Sequence, residues 1–293
     1  MSQSCLAGDI VMRISSNLHG GDYSALSNLN KVYQQLTAIS LKLSTGKRIN
    51  QGAYDPAGLA ASELLNSELV SIEQASQNAS FVRYATAIAD AGMGQSLELL
   101  RTIRSNVVAA ADGSLTDQQR AALQYEVDAA LQAINQIGSN TSFAGRKLLD
   151  GSTLKVQLSA DPSSTVSLEM PNITAADLGG SAGHLIDLAS GGSANLQDGD
   201  LEKAQAILDQ AELQILNARA KNGAFEKYSL ETAAANLDSM QVNLTSTLSD
   251  IRDTDMAQAT SELIRTQILA HSLIGVLKST LENRNLMLEL LKK

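Results

Sequence analysis

Apolar residues recur along this chain at alternating steps of three and four over runs far longer than an ordinary helix, and no other feature constrains the fold so tightly. From Leu201 the run reads Ala204, Leu208, Ala211, Ile215 and Ala218, then continues through Leu230, Leu237, Met240, Leu244 and Ile251. That is a heptad seam, the pattern of helices that pack side by side along their whole length. A second run opens at Ala57 and carries Leu59, Leu64, Leu69, Ile72, Ala75, Ala79, Val82, Ile88, Leu97, Leu100, Ile103 and Val107, interrupted only by Gly92 and Gly94. At 1.5 Å per residue, a helix of about fifty residues extends for roughly 75 Å. Such a chain builds rods.

Shorter helical runs surround these two. Leu29, Val32, Leu36, Ile39 and Leu43 draw one stripe on an N-terminal helix, which Gly46 ends in the C-terminal glycine position. Thr116 with Gln119 forms a capping-box signature at the start of a third helix, striped by Leu123, Val127, Leu131 and Ile134. The last run, from Met256 to about Leu291, is apolar round much of its circumference, with Leu263, Ile264, Ile268, Leu269, Leu273, Ile274, Val276, Leu277 and Leu281. A helix of that kind needs partners on several sides. The two ends mirror each other and are expected to pair with each other and with neighbouring copies.

Between the third helix and the final seam the period changes. Leu154, Val156 and Leu158, then Val166, Leu168 and Met170, alternate on either side of "SADPSST", which predicts a β-hairpin near residues 154–170. Residues 172–199 are rich in Gly, Ala and Ser without periodicity and read as a linker. The stretch "LSTGKRINQGAYDPAGLA" is a polar corner between two helices, in which Asp55 and Pro56 start the second.

The remaining signals exclude more than they assign. Aromatics are 3% of residues and Trp is absent, so few large side chains are available to fill a globule. A net charge of −9 argues against nucleic acid, which requires a basic face. One cysteine, Cys5, excludes an internal disulfide framework. No apolar run is long enough to insert in a membrane, and "MSQSCLAGDIVMRISSN" lacks a signal-peptide pattern, so export by the general secretory route is not expected. His19, His184 and His271 lack metal-ligand spacing, and no nucleophile motif or phosphate-binding loop occurs in a strand-to-helix context. "DIRDTDM", Asp250 to Met256, mixes acids with Arg252 and reads as a helix junction with local ion pairing. No enzyme activity and no cofactor are expected.

Several long motifs in order carry a resemblance. "NLNKVYQQLTAISLKLSTGKRINQGAYDPAGLAASELL", "IEQASQNAS", "NTSFAGRKLLDG" and "NLTSTLSDIRDTDMAQATSELIRTQIL" are similar to the N-terminal, hairpin-leading and C-terminal signatures of bacterial flagellin. The resemblance covers about residues 12–148 and 200–293 and implies a mainly α fold of long antiparallel coiled-coil-like helices, with a small β-hairpin and paired terminal helices. It implies an inner terminal-helix domain of residues 12–45 and 254–293, and a rod domain of residues 46–171 and 200–253. Residues 172–199 stand where longer members insert outer domains. It further implies a secreted protein of the flagellar filament, exported unfolded by the flagellar type III system. Its partners would be itself, as a homopolymer, together with an export chaperone and the cap and junction proteins. Lys47, Arg48, Asp55, Leu263, Ile268 and Leu277 are the candidate subunit-interface residues.

Departures are specific. "ISSN", Ile14 to Asn17, stands for the usual INTN-type start, which leaves "MSQSCLAGDIV" ahead of Met12 as an extension or Met12 as the start. Lys278, Glu282 and Arg284 stand where Gln, Asn and Pro are common in the family, and would give a channel wall alternating charge. The family's innate-receptor epitope falls on "LRTIRSNVV": Thr102 takes the place of an Arg, Arg104 is kept, Asn106 replaces a Leu, and Glu126 is retained. Weak activation of the animal receptor for flagellin is therefore expected. The alternatives are a hook-filament junction protein, which shares "MRIS" and "LSTGKRIN" but normally lacks a DIRDTDM-type signature, and a non-flagellar coiled-coil adaptor. A filament-borne protease would need a His-Glu-x-x-His helix, absent between residues 150 and 200.

Overall fold

The computed structural model of the chain describes residues 3–159, 161, 163 and 165–290. Helix α1 spans Gln3–Thr45, α2 Pro56–Ala110 and α3 Asp117–Asn140. Three two-stranded antiparallel sheets follow: β1 Ser142–Phe143 with β2 Arg146–Lys147, β3 Thr153–Gln157 with β4 Thr165–Glu169, and β5 Gly179–Gly180 with β6 Gly183–His184. A 3₁₀ turn at Leu185–Leu188 leads to α4, Leu201–Ala224. A π-helical turn over Phe225–Leu230 then joins α4 to α5, Glu231–Arg252, and α6 closes the chain at Met256–Leu290. Residues 1–66 with 244–293 form one compact unit, and residues 67–243 form the other. The boundaries between these units fall inside α2 and α5. Cys5, the start at Met12, "ISSN" and His19 lie outside the residues whose side chains are described.

In the first unit α1 packs along α6. The positions withdrawn from solvent are Ala25, Leu29, Val32, Leu36, Ile39 and Leu43 on α1, and Ala259, Leu263, Thr266, Ala270, Leu273 and Leu277 on α6. Both series step by four and three, so the two terminal helices meet along a heptad seam as their spacing predicted. Gly46 ends α1 at φ +69°, a left-handed conformation that a side chain would strain.

In the second unit one face of α2, from Ala79 through Val82, Ala89, Met93 and Ile103 to Val107, is buried in one core with Val127, Leu131 and Ile134 of α3 and Ala204, Ile207, Ala211 and Ile215 of α4. Leu64 is 72% exposed, and Ile88 is exposed as well, so both leave the expected stripe. Gly92 does not break α2: a Cβ there would meet Leu149 Cδ1 at 2.9 Å and Thr141 Oγ1 at 3.0 Å, so the glycine lets the segment around β1 and β2 lie close against the helix. The Thr116 capping box is present, with Gln119 N–H donating to Thr116 Oγ1 at 3.3 Å and Thr116 N–H to Gln119 Oε1 at 2.9 Å. Strands β3 and β4 pair with Leu154 opposite Leu168 and Val156 opposite Val166, the expected hairpin.

Residues 172–199 are not a free linker. Ile173, Ala175, Leu178, Leu185, Leu188, Ala194 and Leu196 are all buried. The segment is tied down by polar side chains. Ala175 N–H donates to Asn135 Oδ1 at 2.8 Å, and Gln124 donates to Leu188 C=O at 2.9 Å while accepting from Leu196 N–H at 2.7 Å. Gly138 of α3 admits the chain here, since a Cβ would sit 1.9 Å from Ile173 C=O. Its apolar residues occupy turns at irregular intervals, so no period betrays them.

Candidate functional site

The corner between α1 and α2 and the junction between α5 and α6 fold against each other within one subunit. Thr254 N–H donates to Gly46 C=O at 2.9 Å, and Arg48 N–H donates to Arg252 C=O at 2.6 Å. Lys47 pairs with Asp253 in an antiparallel bridge. The Arg48 guanidinium donates to Ile251 C=O at 2.5 Å, so it satisfies one of the last carbonyls of α5, where a cation also meets the negative end of the helix dipole. Ile49 is buried beneath this strip.

Each following helix is started by an aspartate. Asp55 precedes Pro56 and accepts from Gly58 N–H at 2.8 Å. Asp255 accepts from Ala257 N–H at 2.9 Å and Gln258 N–H at 3.0 Å. A carboxylate in these positions satisfies amides that have no intrahelical partner. A Cβ on Gly58 would lie 2.3 Å from Asp55 Oδ2 and 2.7 Å from Ile49 Cδ1, so glycine lets both side chains close over the start of α2 as they do. Arg252 reaches Glu63 at 2.9 Å, and Ser249 Oγ donates to Asp253 Oδ2 at 2.6 Å. Asp253 and Asp255 of "DIRDTDM" are thus spent on a local pair and a helix cap. Among the described residues no group of three or more His, Cys, Asp or Glu side chains is placed to hold a metal.

The structure sorts the candidate interface residues into two kinds. Arg48 and Asp55 bind within their own chain, and Leu263 and Leu277 lie in the α1–α6 seam. Lys47 is exposed, and Ile268 is 60% exposed on the face of α6 turned from that seam, as are Ile264 and Val276. A matching stripe on α1, Tyr23, Leu26 and Tyr33, is also exposed. Its spacing of three and then seven is visible in the sequence, but the stripe is outweighed by the longer leucine seam beside it. Lys278 and Glu282 lie 3.9 Å apart, both exposed.

The receptor-epitope positions cluster on α2 and α3. Thr102 is exposed and donates to Glu98 C=O at 3.2 Å. Arg104 binds Asp209 at 2.6 Å and Glu212 at 2.7 Å, which joins α2 to α4. Asn106 is 8% exposed and donates to Glu126 Oε2 at 3.1 Å. Further along the same face of the rod, Asp90 holds Arg219 through two bonds of 2.8 and 2.9 Å, and this pairing raises the guanidinium pKa further.

Comparison with known proteins places this architecture. The family model for the bacterial flagellin N-terminal helical region matches residues 17–153, and that for the C-terminal helical region matches residues 205–290. Flagellin of Bacillus subtilis is 29% identical over 96% of this chain and all of its own length. Flagellin of Halalkalibacterium halodurans is 31% identical over 86% of this chain and 90% of its own. Among solved structures, a flagellar hook-associated protein from Vibrio parahaemolyticus superposes with a TM-score of 0.60 at 17% identity, covering 68% of this chain and all of that one, a likeness of fold. Two helical end regions in the right order, together with a relative matched end to end, identify the chain as a short-form member of the bacterial flagellin family and a structural subunit of the extracellular flagellar filament.

Proposed function

We propose that this subunit joins its filament through the apolar stripes that the α1–α6 pair leaves uncovered. The observation that carries this is the exposure of Ile264, Ile268 and Val276 on α6 and of Tyr23, Leu26 and Tyr33 on α1, although the two helices have already buried a full seam against each other. Each Ile or Leu side chain removed from water contributes about 1.5–3 kcal/mol, so several such stripes per subunit favour a polymer over a monomer. The exposed Val70, Phe81 and Tyr84 of α2 add a further stripe on the rod. Arg48 and Asp55 serve the polymer indirectly by holding the corner, and Lys47 is free to meet a neighbour. The protein does no chemical turnover. Terminal helices forming an inner layer, export through the flagellar type III apparatus, and contacts with a chaperone, cap and junction protein follow from the resemblance in the terminal signatures.

Seeded polymerisation of purified subunits tests this. Ile268→Glu leaves far-UV helicity within a few per cent of wild type and abolishes elongation from wild-type seeds. Normal elongation of that variant refutes the assignment of the outer α6 face.

A further inference from the structure

The seam shared by α4 and α5 contains one residue too many. Ala204, Leu208, Ala211, Ile215, Ala218, Asn222 and Phe225 are withdrawn from solvent at alternating steps of four and three, and Leu230, Ala234, Leu237, Gln241, Leu244, Leu248 and Ile251 resume the same alternation. Between the two series, Phe225 to Leu230 is a step of five. One surplus residue in an unbroken α-helix would turn everything beyond it by about 100°. That turn would bring Ser229, Asn236, Asn243 and Asp250 into the seam in place of the leucines. The backbone absorbs the surplus as the π turn, in which Glu231 N–H donates to Glu226 C=O, five residues back. Just before it, Phe225 N–H is shared between the carbonyls of Asn222 and Lys221.

The rod is held differently on the two sides of that turn. On the α4 side, Ile207, Leu208, Ala211 and Ile215 are at most 1% exposed. Arg219 grips Asp90 with two bonds there, and Asn222 Nδ2 donates to Thr86 C=O at 3.0 Å. On the α5 side, among the described residues, Leu237 is the one fully buried residue, and none of the ion pairs involves residues 231–243. At the far end of α5, Arg48 takes the carbonyls of Ile251 and Arg252. The buried Oδ1 of Asn222 has no partner, a cost lodged in the last turn before the π segment.

We propose that Phe225–Leu230 is a hinge: residues 231–243 disengage from the core of their unit as one arm, pivoting at the π turn, while α4 stays fixed. Hydrogen exchange of the monomer, read by mass spectrometry, tests this. Peptides within residues 231–243 exchange at least about tenfold faster than peptides within 204–218, as for separate cooperative units. Deleting Tyr228, which is 69% exposed, turns the five-residue step into four and heals the helix without moving the seam. The deletion variant keeps or raises the melting temperature and brings the two exchange rates within about threefold of each other. Tyr228→Ala, which keeps the length, keeps the wild-type difference. Equal exchange in the wild type overturns the hinge, as does a deletion variant that leaves the difference intact. A deletion variant that fails to fold overturns the phase argument on which it stands, and loss of the difference in Tyr228→Ala assigns the effect to the side chain instead of the backbone.

Discussion

Asp55 and Asp255 carry out the same task at two helix starts fewer than ten residues in sequence from the strip that binds them together. Replacing either by Ala removes an N-cap and costs about 1 kcal/mol, and Asn at either position retains most of it. Arg48→Ala with Asp55→Ala loosens the corner within the subunit and lowers polymerisation, while melting of the second unit is unchanged. Circular dichroism and pelleting assays read the two effects separately. Acid titration follows from two exposed turns. Backbone and hydroxyl bonds from Ser114 hold the Asp112 carboxyl below its ordinary range, and the same bonds from Ser163 do so for Asp161. A carboxyl depressed in the folded state contributes stability above its unfolded pKa and loses it as pH falls through the folded value. Melting temperature therefore drops on acidification below the usual carboxylate range, and drops less when Asp112 and Asp161 are both replaced by Asn. The candidate epitope positions also belong at this scale. With Arg104 held by Asp209 and Glu212 and Glu126 occupied by Asn106, purified monomer activates the animal flagellin receptor weakly in a reporter assay. Thr102→Arg with Asn106→Leu strengthens the response, since a central Arg anchor is worth about 2 kcal/mol or more.

Among the elements, the long helices were legible because each repeats one simple instruction. Val82, Ile103, Leu131 and Ile215 are where three-and-four spacing puts them. The alternation of Leu154 and Val156, then Val166 and Leu168, likewise gave the hairpin, whose strands pair Leu154 with Leu168 and Val156 with Val166. Two elements hide from periodicity for opposite reasons. Residues 172–199 bury seven apolar side chains, but they do so at turns, where glycine backbones and side-chain caps from Gln124, Asn135 and Gln214 impose the path and no period results. The π turn, by contrast, is written in the sequence as the step from Phe225 to Leu230, but the leucines beyond it regain the same alternation and mask the break. Cavity-forming changes distinguish a packed segment from a linker. Leu188→Ala lowers stability by about 2–5 kcal/mol, and Leu213→Ala on the exposed face of α4 changes it by less than about 0.5 kcal/mol, both measured by urea denaturation.

For the whole molecule, the sequence carried the site only in part. It marked the corner by glycine, proline and family-type motifs, yet could not say that Arg48 and Asp55 would be consumed inside the subunit. That depends on which carbonyls and amides the turn leaves unpaired. It marked α6 as apolar all round, yet could not divide Leu263 and Leu277, which face α1, from Ile268, which does not. In the proposed assembly the seam builds the subunit and the outer stripe builds the polymer. The most direct test is a helical reconstruction of the filament at side-chain resolution. The account predicts Tyr23, Leu26, Tyr33, Ile264 and Ile268 buried against neighbouring subunits, with Leu263 and Leu277 still facing α1 of their own chain. Outer stripes left open to solvent in the assembled filament would contradict it.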